Sequence, residues 1–163
     1  MKKIYTVLLL IIGTIYNQLY AATIFSEDVG SPAATTLITS YTGWQNNGIF
    51  TFTGTGDVRN TTPSTGYTGA SGNGNVFLTN TASNKTLIIS NFTTSGYTAL
   101  ALSFGVYKST TSSNGSELTI DYSTNGAAGP WNPITRTALP TGAGTAIWYY
   151  RTSTSVIPAG TNA

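Results

Sequence analysis

The sequence predicts an all-β protein of two packed antiparallel sheets, and three observations carry that prediction. From Thr23 onward, no stretch of about ten residues has apolar side chains recurring at the helical period. Short runs rich in β-branched and aromatic residues recur instead, separated by Gly, Asn, Ser and Pro. The chain is also poor in charge, at 7% Asp, Glu, Lys and Arg, and holds 18 glycines in 163 residues, a composition that suits many tight turns.

The first 22 residues are of a different kind. "MKKIYTVLLLIIGTIYNQLYAA" opens with Lys2 and Lys3, continues through an apolar run from Ile4 to Ile15 and closes on Ala21 and Ala22. This is the pattern of a secretory signal peptide, and the run is short of the roughly 20 residues that span a bilayer. Residues 23–163 are expected as the mature domain, secreted or held at the outer cell surface, with no membrane span after cleavage. Without Lys2 and Lys3, five basic residues face five acidic ones, so the mature chain is formally neutral. It lacks the cationic field that nonspecific nucleic-acid binding needs. With no Cys, the exported domain has no disulfide and must hold by packing or by a metal.

Eight strands are expected in order: Thr23 to Val29, Ile49 to Gly54, Gly74 to Thr79, Lys85 to Ser90, Ala99 to Tyr107, Glu117 to Ser123, Asn132 to Thr137 and Ala146 to Thr152. "ALALSFGVY" alternates most clearly. Leu100, Leu102, Phe104 and Val106 share one face, and Ala101, Ser103 and Gly105 make the other nearly smooth, open to a covering loop or a flat ligand. In "AIWYYRT", Trp148 shares a face with Ala146 and Tyr150, opposite Ile147, Tyr149 and Arg151. The glycine-rich stretch from Gly54 to Gly74 is expected as an irregular loop folded back over a sheet edge. In "SELTIDYSTNGAAGPWNPIT", Asn125-Gly126 marks a hairpin turn, Gly129-Pro130 ends it, Trp131 packs across its base and Asp121 lies on the outer face.

The absence of both His and Cys excludes Ser-His-Asp and Cys-His catalysis and His-ligated zinc. A glycosidase would need two carboxylates about 5–10 Å apart. Glu27 and Asp28 are adjacent and should point to opposite faces of a strand, while Glu117 and Asp121 lie about 13 Å apart along one. The reading is therefore of a noncatalytic chain. Calcium is a better use of such groups, since it takes six to eight oxygens from carboxylates and loop carbonyls. Glu27 and Asp28, beside a Gly-Ser-Pro turn, are the candidate ligands of a structural calcium ion. Trp44, Tyr41, Trp131, Trp148 and Tyr150, with Tyr67 and Tyr149, are candidates for stacking on sugar rings, each weighed against a place in the core.

Several stretches carry a resemblance. "DYSTNGAAGPW" is similar to the "YSTDGG…W" hairpins of secreted bacterial β-sandwiches, with Asn125 where an Asp-box turn has Asp. With "FSEDVGSP", "YTGWQNNG", "STGYTGASGNGNVFLT", "LALSFGVYKSTTSSNGSELTIDYSTNG" and "IWYYRTSTSVIP", the mature chain resembles a jelly-roll domain of exported Bacteroidetes proteins, many of them type IX secretion substrates. The resemblance implies a galactose-binding-like sandwich found beside enzymes and adhesive repeats. It also implies one or two further strands after "IPAGTNA", and an acidic pair there to complete any calcium site begun by Glu27 and Asp28. The function expected is a noncatalytic module that binds polysaccharide or a cell-surface glycan, or mediates adhesion. The alternatives are an N-terminal accessory domain of a larger secreted hydrolase and a structural spacer.

Overall fold

The computed structural model describes residues 23–79, 83–142 and 145–163. The expected signal peptide, residues 1–22, lies outside the described residues. Nine strands occur among the described residues: β1 (Thr36–Leu37), β2 (Thr51–Gly54), β3 (Asp57–Arg59), β4 (Asn75–Phe77), β5 (Leu87–Ser90), β6 (Ser103–Lys108), β7 (Asp121–Tyr122), β8 (Asn132–Pro133) and β9 (Ile147–Thr152). Single 3-10 turns at Ile38–Ser40 and Gly126–Ala128 complete the regular structure. No described helix is long and apolar enough to cross a membrane.

Among the described residues, every pairing of these strands is antiparallel, in the orders β1-β3-β4, β2-β5, β6-β9 and β7-β8, and no sheet closes into a barrel. The expected all-β sandwich architecture is thus present. Its main core lies where the first two sheets meet. Period-two alternation turns Val58 of β3 and its partner Val76 of β4 inward, and Phe52 and Leu87 do the same from the β2-β5 pair. Ile38, Trp44 and Val58 are buried at that seam, with Val29, Tyr41, Phe52, Val76 and Leu87 packed around them. Asp57 and Arg59 point the other way, joined by an ion pair of 3.2 Å, and the guanidinium lies 3.6 Å over the Phe77 ring.

Two expectations about elements are corrected. Residues 23–29 form no strand, because the Glu27 and Asp28 carboxylates capture the N–H groups of Val29 and Gly30 at 2.8 and 2.9 Å, donors a sheet ladder would need. The segment is fixed instead by Phe25, whose ring sits edge-on to Phe50 at 5.0 Å and stacks on Phe92 at 6.1 Å. The stretch from Gly54 to Gly74 is not wholly irregular, since β3 lies within it, central in its sheet. Only from residue 60 does the chain run as the expected covering loop.

Candidate functional site

The β6-β9 ribbon brings the two alternating strands into one register. Gly105 faces Tyr150, and Tyr107 faces Trp148. One side of the ribbon therefore carries Ser103, Gly105 and Tyr107 from β6 beside Thr152, Tyr150 and Trp148 from β9. The Tyr107 and Trp148 rings lie 5.5 Å apart, tilted by 57°. The covering loop adds Tyr67, whose ring is 6.0 Å from that of Tyr150. Gly105 makes this possible: a Cβ there would stand 2.2 Å from the Tyr67 hydroxyl. The smooth half of "ALALSFGVY" is thus the seat of Tyr67, and the result is an aromatic strip of Tyr107, Trp148, Tyr150 and Tyr67 with Tyr150 49% exposed.

The opposite side holds Phe104, Val106 and Lys108 against Arg151, Tyr149 and Ile147. Lys108 is fully buried, and its ammonium donates to the carbonyls of Pro140 and Gly142, so the charge is spent on tying the following loop to the end of β6. Arg136 does similar work beside β7, donating to the carbonyls of Gly115 and Leu118. Near it, Glu117 is held below the usual carboxylate range by its own backbone N–H, by the Ser113 hydroxyl and by the Arg136 charge. Ser113 donates to Glu117 at 2.9 Å.

The five aromatic candidates separate. Trp148 and Tyr150 stand side by side on the strip. Trp44 does not serve a ligand: it is 5% exposed, its ring stacked parallel on Phe52 at 4.3 Å. Tyr41 leaves the list as well, set edge-on to Trp44 at 5.2 Å with its hydroxyl donating to the Val29 carbonyl at 2.8 Å. Burial, with Glu27 and Asp28 nearby, pushes that phenol above its ordinary range. Trp131 is 39% exposed, on the turn between β7 and β8, its ring 2.9 Å from where a Cβ on Gly129 would be. It packs over the turn as the hairpin reading requires. Tyr107 was missed, because the alternation alone does not say which cross-strand neighbour Trp148 acquires; the register does.

Glu27 and Asp28 form a clamp. Glu27 Oε1 accepts from the backbone N–H groups of Val29 at 2.8 Å and Gln45 at 2.9 Å, and Oε2 from the backbone and side-chain nitrogens of Asn46 at 3.0 and 2.9 Å. Asp28 accepts from Gly30 and, at 2.8 Å, from the Asn73 side chain. The two carboxylates thus address different segments, although the strand on which opposite faces were expected does not form. These surroundings do not fit calcium. The cation needs oxygen atoms on every side, whereas Glu27 is surrounded by N–H donors. Among the described residues, no three His, Cys, Asp or Glu gather in a way that would hold a metal ion.

Because a carboxylate is the only group that can accept at both ends of this clamp, Glu27→Gln is expected to destabilise the fold by about 2 kcal/mol, its amide NH2 facing N–H donors. A urea titration checks this. An unchanged midpoint would mean that the clamp contributes nothing.

Comparison with protein-family models, with curated proteins and with solved structures gives no match to this chain.

Proposed function

We propose that this chain is a noncatalytic, exported β-sandwich module, of the outer cell surface or the surrounding medium, that binds polysaccharide through the aromatic strip of the β6-β9 ribbon. The observation that carries the reading is the placing of Trp148 and Tyr150 two residues apart on one face, with Tyr67 drawn over Gly105 beside them. Sugar rings present apolar faces that lie against aromatic rings, while their hydroxyls need donors and acceptors at the rim. Tyr67, Tyr107 and Tyr150 supply both from one side chain, and Ser103 and Thr152 flank them. The noncatalytic part of the proposal is supported by the state of the acidic groups. Glu27, Asp28, Asp57 and Glu117 are each engaged by donors of their own neighbourhood.

The test is binding of the purified chain to cellulose, xylan, mannan and chitin fragments, followed by calorimetry and by tryptophan fluorescence. Binding to at least one of them is expected. Tyr150→Ala should weaken it about tenfold, the loss of one stacking contact of roughly 1.4 kcal/mol. Trp131→Phe, on the β7-β8 turn, should leave affinity unchanged. Retained affinity in Tyr150→Ala, or no binding to any of these glycans, would sink the proposal.

A further inference from the structure

Four Asn-Gly steps occur in the described chain: Asn47-Gly48, Asn73-Gly74, Asn114-Gly115 and Asn125-Gly126. Glycine has no side chain to shield its backbone nitrogen, so each step is chemically open to attack of that nitrogen on the preceding amide. In three of them, the fold restrains both reacting groups. The Asn73 amide donates to Asp28 at 2.8 Å and accepts from Ser31 at 3.2 Å, and the Gly74 N–H donates to the Gly30 carbonyl at 2.9 Å. The Asn114 side chain accepts from Ser116 at 2.9 Å, and the Gly115 N–H donates to the Ser113 hydroxyl at 3.0 Å. The Asn125 amide donates to the Gly129 carbonyl at 3.0 Å, and the Gly126 N–H to the Asn162 side chain at 2.6 Å. At Asn47-Gly48 neither the side-chain amide nor the glycine N–H has a partner among the described residues, and both residues are exposed.

We propose that Asn47 is a modification site at which the folded chain deamidates spontaneously, with water as co-reactant, and that the product loosens the Glu27 clamp. The Gly48 nitrogen gives its proton to solvent and forms a bond to Asn47 Cγ; Nδ2 takes a proton from solvent as the Cγ–Nδ2 bond breaks, and ammonia leaves, giving a cyclic imide. Water then opens the ring at either carbonyl, leaving aspartate or isoaspartate. Asparagine and water become an acid and ammonia, with no change in oxidation state. The new carboxylate stands next in the chain to Asn46, whose backbone and side-chain nitrogens hold Glu27, so the turn that anchors the clamp gains a negative charge. The isoaspartate product also lengthens the main chain inside a tight turn. That turn is closed by bonds of 3.1 Å from the Asn47 N–H to the Trp44 carbonyl and from the Ile49 and Phe50 N–H groups to the Asn46 carbonyl.

The experiment incubates the intact folded protein in mildly alkaline buffer and follows all four steps by peptide mass mapping, with a second sample unfolded in urea. In the folded sample, Asn47 should convert about tenfold faster than Asn73, Asn114 or Asn125, since at least two hydrogen bonds restrain each of those steps. In urea the four rates should converge. If any of the other three keeps pace with Asn47 in the folded protein, or if Asn47 leads by the same factor in urea, the fold is not selecting the site and the proposal is overturned.

Discussion

Replacing Trp44 by alanine is expected to destabilise the protein by about 3–5 kcal/mol, the usual cost of emptying a large aromatic site in a core. The indole is stacked on Phe52 of β2 and meets Tyr41 edge-on, so its removal opens the seam between the β1-β3-β4 sheet and the β2-β5 pair. Tyr41 would lose its packing partner, and its bond to the Val29 carbonyl would become exposed to water. Trp44→Phe should cost far less, about 1 kcal/mol. It keeps most of the apolar area, and the indole N–H that it removes is buried with no acceptor among the described residues. Urea midpoints of the two variants check both values. An alanine variant as stable as the phenylalanine one would show that the seam is not where the sheets are held.

Gly54→Ala is the second large effect, expected at about 3 kcal/mol or more. Gly54 ends β2 at φ 141°, a conformation that side chains other than glycine rarely adopt. A Cβ there would lie 2.1 Å from the Thr86 carbonyl oxygen and 2.8 Å from its carbon, both backbone atoms with little freedom to yield. The same oxygen accepts from the N–H groups of Thr55 and Gly56 at 3.0 and 3.1 Å. The methyl group would therefore disturb three residues at the point where β2 hands the chain to β3. Gly66→Ala is the matched comparison: it also has positive φ, at 80°, but open space around the added carbon, and should cost only about 1–2 kcal/mol. Equal losses in the two variants would assign the whole effect to backbone conformation and none to the clash.

The strands easiest to read were those whose alternation is undisturbed. The expected run from Ala99 to Tyr107 covers all of β6 but its last residue, Lys108, and that from Ala146 to Thr152 contains β9, with the two sides of β9 divided as the sequence implied. The turn at Asn125-Gly126 likewise joins β7 to β8. β3 was hidden because "DVR" is short, carries two charges and sits among glycines. Its single inward residue, Val58, is completely buried, but one residue makes no pattern. The false strand at residues 23–29 has the opposite cause. "TIFSEDV" looks extended, yet side-chain oxygens two residues back reach the backbone donors first.

At the candidate site, the sequence supplied Trp148 and Tyr150 as neighbours on a face. It offered Tyr67 only as one aromatic among several and did not offer Tyr107; both join the strip through long-range pairing and through a glycine's missing side chain. Nor could it separate Trp44 from them, since an aromatic at a loop end reads the same whether it turns toward solvent or toward the seam.

The pairing of Ser103 with Thr152 spans 49 residues of chain, and that distance sets an order of assembly. The seam around Trp44 is closed by residues between Val29 and Leu87, all available early in synthesis. At about 5–20 residues per second, β6 waits roughly 2–10 s for the strand that completes it. During that interval, the edge of β6 that pairs with β9 has no partner, and Tyr67, seated at Gly105, lacks the Tyr150 ring beside it. The aromatic strip is thus assembled only once residues 147–152 are in place, well after every residue of the Trp44 seam.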